Sequence, residues 1–163
     1  MTLIRADEPG REFVKVGRAD GATRVWICSG EMPKGQTVGL HRHGGDEIFQ
    51  VLRGTVRFHV DGKNVDVGPG HYVVVPPYTE HGFRILTDDA ELQFVGEIEM
   101  GEWVTVIDPD GTTRQVEIRS EMMPWHRRPA EGETFDFMSM ITMLESTSHL
   151  FDHDPEEPHD HAH

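Results

Sequence analysis

Residues 35–54, GQTVGLHRHGGDEIFQVLRG, and residues 70–81, GHYVVVPPYTEH, decide the reading of this chain. As a pattern they are Gly35-x5-His41-x-His43-x3-Glu47-x6-Gly54 and Gly70-x5-Pro76-x4-His81. Residues two apart on a strand point the same way, so His41 and His43 reach one centre. The Gly44-Gly45-Asp46 step lets the chain turn before Glu47 joins them. His81 comes from a later strand and closes the site from the side. Three imidazoles and one carboxylate suit one divalent ion of iron, manganese, nickel, zinc or copper, and the octahedral metals keep two positions open.

Outward from this stretch the pattern is short strands separated by glycine turns. Val25–Cys28, Glu47–Leu52, Val56–Val60 and Val65–Val67 read as strands, with Asp61-Gly62 as a hairpin turn between two of them. The run His71–Val75 is nearly all apolar, as a strand buried on both faces would be. His81–Leu86 and Leu92–Ile98 follow. Trp103–Ile107 and Gln115–Ile118 flank the turn Asp108-Pro109-Asp110-Gly111 and predict a second hairpin, either an added ribbon or a continuation of the main sheet. Phe13, Val14 and Val16 suggest a short strand in the N-terminal arm. Residues 121–132 read as a loop. Over 133–146, Phe135, Phe137, Met138, Ile141, Met143 and Leu144 give a helix-like apolar pattern, expected to pack on the barrel or on another subunit. The tail from Phe151 is rich in proline, acid and histidine and reads as disordered.

The two motif segments resemble the two sequence motifs of the cupin family, over about residues 22–107. The first motif matches at every fixed position. The second departs twice: Tyr78 stands where the family usually has glycine, and Ile85 where it often has asparagine. The resemblance implies an all-β fold, a small antiparallel β-barrel of the jelly-roll type, with His41, His43, Glu47 and His81 as ligands of one metal inside it. The organisation expected is an N-terminal arm (1–22), the barrel (23–107), a C-terminal hairpin and helix (108–150) and an acidic, His-rich tail (151–163). No internal repeat is present, so a single cupin is expected. The resemblance also implies a homodimer. It does not fix one reaction, because cupins include oxygenases, isomerases, decarboxylases, sensors and storage proteins.

Composition narrows the partners. The formal charge of −14 argues against nucleic acid or an anionic membrane surface. One cysteine, Cys28, excludes an intrachain disulfide and fits a reducing cytoplasm, and the N-terminus has no apolar run of a secretory signal. No window approaches the ~20 apolar residues of a membrane span.

Strand parity assigns further roles. Phe49 and Val51 share the inward face of Glu47, and Phe83 and Ile85 that of His81. Phe49, Phe83 and Ile85 are therefore candidates to wall an apolar substrate pocket beside the metal, or else to fill the core. Tyr78 is the candidate catalytic side chain, donating a hydrogen bond to substrate; bracing of its loop is the other reading. His71 reads as a core histidine or as a partner orienting a ligand. His59 is expected on the outer face and Cys28 as a buried apolar residue. His149, His153, His159, His161 and His163 can bind zinc, nickel or copper weakly, or simply be solvated.

Of the functions open to such a site, a non-haem iron dioxygenase acting on a small organic molecule ranks first. A non-redox isomerase, lyase or decarboxylase ranks second, because Tyr78 and His71 are weak acid–base candidates. A non-enzymatic small-molecule-binding cupin ranks third.

Overall fold

The computed structural model describes residues 1–97, 103–108, 110–117, 150–152 and 155. Within them two antiparallel sheets face each other. One has the order β1 (Val14–Val16), β2 (Val25–Glu31), β9 (Glu91–Glu97), β4 (Glu47–Arg53), β7 (Tyr72–Val75). The other runs β11 (Thr113–Glu117), β10 (Trp103–Ile107), β3 (Thr37–Arg42), β8 (His81–Ile85), β5 (Val56–Val60), β6 (Lys63–Val67). The all-β expectation holds, and the second hairpin continues the main sheet, since β10 pairs β3. The helical pattern at 133–146 lies outside the described residues.

Alternation builds the core. On β4, Glu47, Phe49 and Val51 are buried and Ile48 and Leu52 are exposed; on β9, Leu92, Phe94 and Gly96 face in. Phe49 pairs Phe94 across the strands with stacked rings 5.7 Å apart, and Trp26 meets Phe94 edge-on at 5.4 Å. Close approach at two places excludes a side chain. A Cβ on Gly96 would lie 2.3 Å from the Trp26 ring, and one on Gly82 would lie 2.4 Å from the Val38 carbonyl oxygen. The β5–β6 turn is the one expected: Asp61 and Gly62 both take positive φ, 49° and 82°, as a type I′ hairpin requires.

Two expectations are corrected. The strand at 72–75 is not buried on both faces. It is the edge of the five-stranded sheet, where Tyr72 (68% exposed) and Val74 (59%) point outward and only Val75 is fully buried. An apolar run alone does not distinguish a central strand from an apolar edge. Nor is the tail free from Phe151 onward. Leu150–Asp152 forms a short 3-10 turn and Phe151 is wholly buried, seated on the outer face of β5, β6 and β8. His59 does face outward, as parity predicts, but Phe151 covers it, so it is 8% exposed.

Candidate metal centre

The ligand set is assembled from both sheets. His41 and His81 are direct cross-strand partners on β3 and β8, with rings 4.2 Å apart. His43 follows β3 directly, its ring 4.9 Å from that of His81. Glu47 opens β4 in the opposite sheet. One local irregularity makes this possible. Between Val38↔Phe83 and His41↔His81 the register slips, β3 using one residue more than β8. Such a bulge bends the strand and re-aims its side chains. Here it lets Val38 pack in the core while His41, three positions on, also faces in. Alternation cannot reveal a bulge, although Gly39 inside the strand was the available signal.

All three histidines are oriented in the same way. His41 Nδ1 lies 2.9 Å from the Gly39 carbonyl oxygen, His43 Nδ1 3.0 Å from that of Gly44, and His81 Nδ1 2.8 Å from that of Thr79. A carbonyl only accepts, so each Nδ1 donates and each Nε2 keeps its lone pair for a metal. The expected orienting role of His71 is therefore filled by backbone. His71 itself lies before β7 and is exposed, contrary to a core histidine.

The residues present fit a cation. His43 Nε2 and His81 Nε2 are buried with no hydrogen-bond partner, which is costly unless an ion takes the lone pairs. Ligand atoms of His41, His43 and His81 all lie within 4.8 Å of one another. Glu47 Oε2 is 3.0 Å from His43 Nε2, without hydrogen-bond alignment, and 4.0 Å from His81 Nε2. Ligands about 2.1 Å from a common ion stand ~3 Å apart when adjacent and ~4.2 Å when opposite. The three histidines thus converge on one centre, and Glu47 stands at coordination spacing from His43 and His81.

Electrostatics agree. Burial, together with His43, pushes the His41 imidazole down to about 3. His81 is driven well below its ordinary value by burial, then by His41 and His43. Both stay neutral at physiological pH, the form that ligates metals. Burial also lowers His43, but the adjacent Glu47 carboxylate more than offsets it and the net shift is upward. Cys28 is fully buried, and burial followed by the Glu47 charge raises its thiol well above the ordinary range, which keeps it an inert core residue.

Of the proposed pocket residues, Phe49 (2% exposed) lies nearest the metal ligands, its ring 6.3 Å from His81. Phe83 packs on Phe49 at 5.8 Å and Ile85 belongs to the same core cluster. Phe58, on the strand β5, completes the aromatic group at 5.2 Å from Phe49. Tyr78 is different. Its amide donates to the His43 carbonyl at 2.7 Å, its φ is +60°, and its side chain is 73% exposed. The backbone of Tyr78 braces the loop bearing His43. The left-handed conformation explains why glycine suits this position.

Residues 29–96 match the family model described as the cupin domain. A stretch of 49 residues, 28% of the chain, is 51% identical to acireductone dioxygenase of Rhodopseudomonas palustris and covers 30% of that protein. A longer stretch, 61% of the chain, is 29% identical to quercetin 2,3-dioxygenase of Bacillus subtilis and covers 28% of it. The chain thus spans under a third of the length of each of these curated relatives. The solved structure of the polyketide cyclase RemF from Streptomyces resistomycificus is similar in fold, with a TM-score of 0.51 and 22% identity over 77% of this chain and 90% of that one. Two facing antiparallel sheets, the convergence of His41, His43 and His81 from the two motif segments, and the match of residues 29–96 to the cupin-domain model give this part of the chain a cupin-type fold.

Proposed function

We propose that this protein is a metal-dependent enzyme acting on a small organic molecule, and specifically a non-haem iron dioxygenase. The observation that carries the reading is the set of three Nε2 lone pairs and the Glu47 carboxylate aimed at one buried centre. Bound Fe(II) would supply open positions for dioxygen and an organic substrate in mutual contact. The similarity to two dioxygenases over parts of the chain supports the redox reading. His41, His43, Glu47 and His81 would hold the ion. Phe49 and Phe83 would exclude water on its inner side and favour an apolar or aromatic substrate. Tyr78 would meet substrate arriving from solvent.

A homodimer belongs to the same proposal. Across four strands, Val74, Ile48, Val95 and Ile27 stand in register on the outer face of the five-stranded sheet. This row carries no charge in a chain of formal charge −14, so it is where two copies can meet with least repulsion.

The test is oxygen uptake by iron-loaded protein against a panel of aromatic compounds and small organic acids. Substrate-dependent uptake that His81→Ala abolishes is expected. Turnover of a substrate without oxygen consumption, supported equally by zinc, would replace this reading with non-redox chemistry.

A further inference from the structure

The outer face of β5, β6 and β8 meets two backbone carbonyls and the carboxylate of the docked Leu150–Asp152 turn. Asn64 Nδ2 donates to the Leu150 carbonyl at 2.8 Å, and Arg57 Nη1 donates to the Phe151 carbonyl at 2.8 Å. Arg84 Nη1 pairs with the Asp152 carboxylate at 2.6 Å. The Phe151 ring lies beneath the Arg84 guanidinium, 5.5 Å from its centroid, and edge-on to His59 at 6.0 Å. Asn64 and Arg57 thus meet the two backbone carbonyls, and Arg84 meets both the aromatic ring and the carboxylate.

The receiving groups are fixed by bonds that do not involve the tail. Arg57 is held by a two-point pair to Asp66, at 2.7 and 3.1 Å, which leaves Nη1 directed at the Phe151 carbonyl. The Asn64 carbonyl oxygen is 2.7 Å from His59 Nδ1, which turns the Asn64 amide nitrogen outward. Arg84 Nε is tied to Thr37 Oγ1 at 3.3 Å. A site organised before its ligand arrives loses little entropy on binding. Charge also calls for an acidic ligand. Arg57 and Arg84 are direct cross-strand partners, and like charges directly opposite are destabilising. Asp66 answers Arg57, and Asp152 answers Arg84.

We propose that this face is a second binding site, separate from the metal centre, for a peptide segment of the form apolar–aromatic–acidic, and that its ligand is this chain's own Leu150-Phe151-Asp152. Arg84, Asn64 and Arg57 read the segment, and Phe151 anchors it. The site backs directly onto the barrel interior, because Arg57 and Arg84 alternate with the inward-facing Phe58 and Phe83.

The test uses the full chain carrying Phe151→Ala, which empties the site, and a fluorescent synthetic peptide of residues 148–154. The peptide is expected to bind this variant at least roughly tenfold more tightly than it binds wild type, whose own segment competes. A peptide carrying the same Phe→Ala change should lose that binding, and so should the double variant Phe151→Ala/Arg84→Gln. Folding of each variant is checked independently by circular dichroism and by metal content of the barrel. Equal peptide affinity for folded wild type and variant, or equal binding of the altered peptide, would overturn the proposal. A wild-type dimer that Phe151→Ala dissolves would overturn the assignment to the same chain in favour of a second copy.

Discussion

At the scale of single residues, function rests on which nitrogen each histidine leaves free. Backbone carbonyls take the Nδ1 protons of His41, His43 and His81, so main-chain geometry leaves each Nε2 available to a cation. His43→Ala should therefore strip the barrel of metal while its β signature in circular dichroism persists; unchanged occupancy would mean that the remaining three groups suffice. Tyr78 offers a second test. Its left-handed backbone costs about 1 kcal/mol that glycine would not incur, and its bond to the His43 carbonyl uses only the amide. Tyr78→Gly should raise the thermal midpoint by a few degrees and leave metal content intact. A lowered midpoint would show that the exposed ring, and not the backbone alone, braces the loop. The convergence of His41 and His43 could be read from the sequence because a spacing of two states their parity. His71 was misplaced because a histidine beside an apolar run looks buried whether or not the strand is central.

At the scale of elements, the decisive contact is between β3 and β8. The bulge at Gly39–Leu40 and the absence of a side chain at Gly82 bring His41 opposite His81. Gly82→Ala would force a Cβ to within 2.4 Å of the Val38 carbonyl oxygen and 3.0 Å of that of Gly39. Neither is the end of a flexible side chain, so the strands must part. A loss of about 1–3 kcal/mol in urea denaturation is expected, together with weakened metal binding in titration. Wild-type stability and affinity would show that the strand pair tolerates separation. Strand positions were legible from alternation and the Asp61-Gly62 turn. Sheet order was not, because pairing partners distant in sequence leave no local mark. That is why the β7 edge and the fate of the 103–117 hairpin came only from the structure.

At the scale of the whole molecule, one barrel presents three distinct surfaces: an interior with a metal-ligand cluster, an apolar row on one sheet and a peptide site on the other. The exposed row predicts its own behaviour. Ile48→Lys with Val74→Lys, both at outward positions, should leave the barrel folded and shift size-exclusion elution to that of a monomer. An unchanged elution volume would remove the sheet face from any interface. The cupin fold was legible because its motif residues sit at fixed spacings, and three of them, His41, His43 and His81, come together. The docking of Phe151 was not, because a single aromatic residue in an acidic, histidine-rich tail carries no periodicity. No described helix is long and apolar enough to cross a membrane.

The measurement that bears most directly on the account is elemental analysis of the chain ended after Asp152. This removes His153, His159, His161 and His163 while keeping the Arg84–Asp152 pair. Protein purified without chelator or an added histidine tag should carry close to one transition-metal ion per chain, and the same chain with His81→Ala should carry almost none. Equal metal in both, or no binding by either on anaerobic titration with iron(II), manganese(II) and zinc(II), would contradict the assignment of His41, His43, Glu47 and His81 as a metal centre.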